Sequence, residues 1–260
     1  MKLLKKCLVG FALLVVAAAL LLWFLPARWM LPWIEPQLRG MQLQQVSGSI
    51  WNGRAGAVVS VDKKSLGQLH WQLSRRSLFG HAQMQWQFSG PDLSFSAALA
   101  RLSADQTDVR NLSLSATSAA LGQQLTTPWG QPRGELQLSI PHALLWAGWP
   151  MQMDAQATWH HAVMHTAHGD VALGDVHATA QARGGMISAQ LHDGGDGPLQ
   201  IGGELQLSPL GWRLDVTLRP RQTDPMLRRW LATLAAPAAD GNTHIQHHGG
   251  LASSAPTPTH

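Results

Sequence analysis

Four histidines stand close together in the chain: His160, His161, His165 and His168. On a helix, His161 and His165 would share a face one turn apart and could hold a zinc ion through their imidazoles. The surrounding residues argue for a strand instead, because apolar and polar residues alternate from Gln152 to Thr166. Four strand residues advance about 13 Å, too far for two imidazoles to share a metal directly. His160 and His161 would also point to opposite faces. Solvated strand and turn histidines are expected, and His247-His248 reads the same way. The stretch Asp193-Gly194-Gly195-Asp196-Gly197-Pro198 is acidic and glycine-rich. It lacks the alternating Asp/Asn ligands and distant Glu of a calcium loop, and reads as a plain turn. Nucleophile, zinc-protease, phosphate-loop and dinucleotide signatures are missing, so the expectation is no enzyme, no metal and no cofactor.

Composition narrows the class of chain that could carry these residues. The chain has 260 residues, 45% hydrophobic and 13% charged, with a formal net charge of +4. Charge is about half the ~25% usual in globular proteins, which excludes a long, highly charged disordered chain. Only one segment is apolar enough to span a bilayer, which excludes a polytopic membrane protein. Lys2, Lys5 and Lys6 precede that segment, and without them the chain is close to neutral. The basic balance therefore does not point to nucleic acid, and no Lys/Arg stripe with interleaved aromatics appears. Cys7 is the single cysteine, so no internal disulfide can form.

Residues 1–6 are short and basic, and residues 7–25 carry no charge or strong polar group. Nineteen helical residues rise about 28 Å, close to the ~30 Å hydrocarbon core. Cys7, Leu13, Leu14, Leu20, Leu21, Leu22, Trp23, Phe24 and Leu25 are candidate membrane-anchor residues. Ala17, Ala18 and Ala19 could serve a signal peptidase, but the apolar run continues past them, which favours an uncleaved anchor. Trp23 and Trp29 suit the membrane interface, and Pro26 ends or kinks the helix. The lysines predict a cytoplasmic N-terminus, with the rest of the chain in the periplasm of a diderm bacterium. The expected organisation is a cytoplasmic terminus at 1–6, a span at 7–25, a linker at 26–40, a β-rich periplasmic domain at 41–251 and a disordered tail at 252–260.

The body alternates with period two. Gly67–Leu73, His81–Ser89, Leu93–Leu99, Leu136–Ile140, Ile187–Leu191 and Trp212–Leu218 each place apolar residues on one face. Roughly a dozen half-buried strands are expected. Crossover helices are absent, so the sheet should be mainly antiparallel. Asn52-Gly53 suits the centre of a two-residue hairpin, and Gly184-Gly185 separates two strands. His142–Trp149 is a candidate helical turn after Pro141. One longer helix is expected, capped by Thr223 or Asp224, with Pro225 in its first turn and Met226, Leu227, Trp230, Leu231 and Leu234 as its apolar stripe. Pro237 should end it, and a final strand is expected near Asn242–His248. The pattern Gly-x-Leu-x-(Leu/Trp)-x recurs at Gly67, Gly134 and Gly203, too irregularly for a solenoid. Trp71, Trp86, Trp159 and Trp212 fall on apolar phases, where core packing is expected and a partner or lipid surface is the alternative. Trp51 is expected to anchor a turn.

Three stretches resemble protein N of the bacterial type II secretion system. Val46-Ser47-Gly48-Ser49-Ile50-Trp51-Asn52-Gly53-Arg54-Ala55 is similar to the family's V-x-G-[ST]-[LIV]-W-N-G-x-A stretch. Leu66–Leu73 with Ser77-Leu78-Phe79-Gly80 resembles its G-x-L-x-W-x-L-x-P-x-x-L-L-x-G pattern, with Arg75 where the family often has proline. The third is the Asp224–Leu234 segment followed by Asp240-Gly241. The resemblance implies a single-pass inner-membrane protein, accessory to export of folded proteins across the outer membrane, with other secretion subunits as partners and no catalytic or cofactor residues. It marks Gly48, Trp51, Asn52, Gly53, Trp71 and Trp86 as a structural or partner surface. The expected fold is mainly β: a transmembrane helix, then a large curved antiparallel sheet, an AsmA-like half-pipe or open barrel, with one packed C-terminal helix. Its likeness to AsmA-like proteins supplies the alternative, a lipid-handling protein with an apolar β-groove.

Overall fold

The computed structural model describes residues 25–34, 38, 40–79, 82–121, 127–238 and 240–250. Thirteen strands form one sheet. They are β1 (Gln42–Gly48), β2 (Asn52–Val59), β3 (Ser65–Leu73), β4 (Gln83–Ser89), β5 (Leu93–Arg101), β6 (Gln106–Thr117), β7 (Gln131–Trp146), β8 (Trp149–Thr166), β9 (Gly169–Arg183), β10 (Met186–Asp193), β11 (Leu199–Ser208), β12 (Gly211–Pro220) and β13 (Thr243–Gly250). Each strand pairs antiparallel with its neighbours in sequence, and the sheet is open between β1 and β13. The expected mainly β, antiparallel fold with one packed helix is what the chain forms. The anchor candidates from Cys7 to Phe24, the terminus at 1–6 and the tail at 252–260 lie outside the described residues, and Leu25 lies within them. Among the described residues no helix is long and apolar enough to cross a membrane.

The period-two pattern reads out as two continuous rows. Val46, Ala55, Leu69, Phe88, Phe95, Leu114, Leu138, Ala157, Ala178, Leu191, Gly203, Val216 and Ile245 are successive register partners, one from each strand. All are half-buried except Ala55, which is fully buried. One residue along each strand runs a second row: Ser47, Arg54, His70, Gln87, Ser96, Ser113, Ser139, Gln156, Thr179, Gln190, Glu204, Asp215 and Gln246. Every one of these is exposed except Ser96, which is half-buried. The sheet therefore has one apolar and one polar face, as antiparallel sheets with a single solvated side do.

Two lines of bulges cross it. Asn111 in β6, with φ 49°, lies opposite Pro141 in β7; the register shifts against β5 at the first and against β8 at the second. Pro141 has no N–H to give the ladder, and a bulge is one of the few places where a strand tolerates it. β7 therefore continues to Trp146 and corrects the helical turn expected over His142–Trp149. That segment closes a tight hairpin through Ala147 and Gly148. The second line runs through Gly134 in β7, His161 in β8 and Gly174 in β9, all at positive φ. A bulge bends the strand that carries it, so the sheet changes direction along both lines. The repeat read at Gly67, Gly134 and Gly203 falls on β3, β7 and β11, every fourth strand. A Cβ at each would meet a backbone oxygen of the following strand at 2.4, 2.5 and 2.7 Å.

Helix α1 (Pro225–Leu234) lies on the apolar face. The Asp224 carboxylate accepts from Met226 N–H at 2.8 Å and caps its first turn, as expected. Leu227, Trp230 and Leu231 are buried over Ala162, Met164, Val171, Leu173, Leu199, Ile201 and Leu218. This core sits at the β8–β13 side of the sheet. Among the described residues no helix comparable to α1 covers the apolar face of β1–β6.

Candidate functional site

The family-like segment forms the first hairpin, and its turn differs from the one expected. Asn52 and Gly53 do not occupy the centre. They begin β2, and Gly53 pairs with Gly48 at the end of β1. The reversal is made by Ser49, Ile50 and Trp51, with Gly48 at φ 88°. Ser49 N–H donates to the Asn52 carbonyl at 2.9 Å, and Asn52 N–H returns a bond to Ser49 Oγ at 3.2 Å. Asn52 is thus kept by its backbone groups, while its side chain is exposed.

Trp51 is buried, and its carbonyl accepts from Leu73 N–H at 2.7 Å, which locks the turn to the end of β3. The Trp71 indole lies over Gly53, where a Cβ would come within 2.3 Å of Cζ2. Its Nε1 donates to the Ile50 carbonyl at 3.2 Å. The structure therefore brings Gly48, Trp51, Asn52, Gly53 and Trp71 into one unit. Trp86 is the register partner of Trp71 on β4, and its indole is left exposed.

This unit is also where the preceding chain joins the sheet. Ile50 N–H donates to the Leu25 carbonyl at 3.1 Å, and Pro26 bridges Ser49. Leu25 is the last residue of the apolar segment 7–25. The described part of the linker read at 26–40 packs as helical turns, Ala27–Met30 and Leu31–Ile34.

The histidines lie on strands and turns. His160 and His161 straddle the β8 bulge, and Asp175 of β9 takes both: His160 Nδ1 bonds Oδ2 at 2.8 Å, and His161 backbone N–H donates to Oδ1 at 2.8 Å. The backbone N–H of His161, then the His160 imidazole, hold the Asp175 carboxyl below its usual range. His165 pairs with Asp170, which its hydrogen bond likewise lowers. Among the described residues no three His, Cys, Asp or Glu side chains converge as a metal site would require. His165 and His168 instead line a cleft of about 530 Å³ under α1, with Trp129, Met226, Arg229 and Trp230.

Two polar clusters were not legible in the sequence. Buried Asp108 binds Arg110 at 2.7 Å and His142 Nε2 at 2.8 Å, beside the first line of bulges. Asp193, at the start of the glycine-rich turn, accepts from Gly195 and Ile201 N–H groups and pairs with Arg221 at 2.7 Å. Burial pushes its carboxyl up, but these bonds together outweigh burial and lower it. Each cluster ties neighbouring strands or turns.

Comparison with known proteins gives a consistent picture. A family model described as type II secretion system (T2SS), protein N matches residues 39–246. A protein of Aeromonas hydrophila named type II secretion system protein N is 25% identical over 259 residues, covering 92% of this chain and 93% of that one. No solved structure matches.

Proposed function

The chain belongs to the type II secretion system protein N family, and from that premise we propose that it is a membrane-tethered structural subunit. Membership makes it an accessory component of protein secretion that works with other subunits of that system. The finer reading is ours. Residues 7–25 span the inner membrane once, the lysine-bearing N-terminus stays in the cytoplasm, and the sheet stands in the periplasm as a docking scaffold rather than an enzyme. The observation that carries this is the hydrogen bond from Ile50 to Leu25. It fixes the first hairpin at the end of the apolar segment, so a tether through that segment would orient the sheet as well as localise it. The hairpin unit of Gly48, Trp51, Asn52, Gly53, Trp71 and Trp86 is the proposed partner surface, with exposed Trp86 as its contact.

One observation favours a second reading. The apolar row crosses all thirteen strands without a charged side chain, about 58 Å at ~4.8 Å per strand. Such a row suits acyl chains, as in an AsmA-like lipid-handling protein. Affinity capture of the full chain from its native membrane in mild detergent separates the two. Other secretion subunits at near-stoichiometric levels support the scaffold. Stoichiometric phospholipid or lipopolysaccharide without those subunits overturns it in favour of lipid handling.

A further inference from the structure

Strands in this sheet run alternately up and down, so its hairpin turns fall at two ends. One end holds the turn at Ser49–Trp51, where Leu25 joins. The same end carries the β5–β6, β7–β8, β9–β10 and β11–β12 turns. These turns are linked into one rim. Trp51 accepts from Leu73, Ala82 from Arg101, and Asp105 from Ala147. Trp149 Nε1 donates to the Gly185 carbonyl at 2.8 Å. Met186, Leu210 and Trp212 line a common cleft that joins the last two turns.

Large exposed apolar side chains concentrate on this rim. Trp29, Leu102, Trp146, Met186, Leu210 and Trp212 are all there, with Leu210 67% and Trp29 58% exposed. Among the described residues, the large exposed apolar side chains at the opposite end are Val61 and Trp129. Four hairpin turns that each present a large apolar side chain to water oppose the usual chemistry of turns, where polar residues and glycine dominate. Isolated exposed apolar residues need no explanation, but a connected rim of them marks an interaction site.

Charge follows the same polarity. Arg28, Arg75, Arg76, Arg101, Arg183 and Arg213 lie at the rim end. The acidic residues described on that side are Asp105, Asp108, Asp154, Glu204 and Asp215, and Asp108 is taken up by Arg110 and His142, Asp154 by Arg183. The opposite end is the more acidic: nine of the described acidic residues, among them Asp170, Asp175, Asp193 and Asp196, stand there against seven basic ones, Lys63, Lys64, Arg133, Arg219, Arg221, Arg228 and Arg229. Indoles and aliphatic tips beside arginines are the composition of a surface that sits in lipid headgroups: the rings favour the interface, and guanidinium groups meet anionic phosphates.

We propose that this rim rests on the bilayer surface from which the apolar segment emerges, with Trp146, Met186, Leu210 and Trp212 in the headgroup region of an anionic membrane. The proposal rests on the reading of residues 7–25 as the span, and adds a second, peripheral attachment to it. The sheet is then held by its edge turns as well as by its tether, and its orientation to the membrane is fixed.

The test uses the full chain with Cys7→Ala, so that single cysteines can be placed elsewhere, in vesicles of phosphatidylethanolamine and phosphatidylglycerol. Spin labels are attached in Leu14→Cys, Met186→Cys, Leu210→Cys, Val61→Cys and Ala167→Cys variants. Accessibility is then compared for oxygen, which partitions into lipid, and a water-soluble nickel chelate. The expected result is an oxygen-to-nickel ratio several-fold higher at 14, 186 and 210 than at 61 and 167. Ratios at 186 and 210 equal to those at 61 and 167, with 14 in lipid, overturn the rim proposal and leave the span intact. A water-exposed label at 14 overturns the span reading and this proposal with it.

Discussion

Asp175 in β9 closes the gap that His161 opens in β8. His161 has φ 49°, which turns its N–H out of the regular ladder, and the Asp175 carboxylate accepts that N–H at 2.8 Å. Its other oxygen bonds the His160 imidazole. A bulge leaves a backbone donor unpaired, and a carboxylate on the next strand satisfies it. Asp175→Ala is expected to lower the urea midpoint without changing the slope, whereas Asp175→Asn, which keeps an acceptor, recovers part of the loss. An unchanged midpoint in the alanine variant would show that the bulge holds itself.

Acid should act through Asp193. Its carboxyl titrates below the usual value in the folded protein, so its contribution is fully present above the unfolded value near 3.8 and is lost as pH falls through the folded value. Asp193→Asn removes that dependence and costs about 1–3 kcal/mol at neutral pH, because Ile201 and Gly195 N–H groups and Arg221 lose a charged acceptor. Urea titrations at pH 7 and pH 3 check it: the gap between wild type and variant should narrow at the lower pH.

Gly53 has no room for a side chain because the Trp71 indole occupies the space. Gly53→Val is expected to cost about 1–3 kcal/mol or more as an overpacking change. Pairing it with Trp71→Ala should cost less than the two single changes added together. Additive losses in thermal unfolding would mean the indole is free to move aside.

Helix α1 holds the β8–β13 side of the sheet. Leu227, on its inner face, is fully buried, so Leu227→Ala should cost about 2–5 kcal/mol, and Asp224→Ala, which removes the N-cap, about 1 kcal/mol. Calorimetry measures both. Equal losses would contradict the placement of the core.

Secretion in cells tests the tether. Deleting residues 1–24 is expected to abolish complementation, and replacing 7–24 with an unrelated apolar segment of equal length, keeping Leu25, should restore it. Full secretion from the deletion variant would show that tethering is dispensable.

Much of the sheet was legible because its strands follow one rule. In β3, β4, β5, β10 and β12 the apolar phase never breaks, and their alternation alone locates them. β7 hides because Pro141 inserts one residue into the phase; the pattern after it, Ala143, Leu144, Leu145 and Trp146, then looks apolar on both faces and suggests a helix. Asn52-Gly53 misled for a different reason. The pair favours a hairpin centre locally, but Trp71 from β3 packs over Gly53 as a strand residue, a contact 18 positions away that no local pattern reports. The rim was illegible for the same cause: Leu102, Trp146, Met186 and Leu210 are unremarkable singly, and only strand register brings them to one end.

The strict sequential order of the thirteen strands has a consequence for biogenesis. No strand waits for a partner synthesised much later, so loop-closure entropy stays small at each step. A chain synthesised from its N-terminus could zip β1 onto β2 as soon as both emerge and add each later strand to the newest edge. The hairpin bonded to Leu25 would come first and serve as the template, with α1 sealing the last strands. Folding would then keep pace with synthesis, and a long-lived unpaired hydrophobic strand would not accumulate.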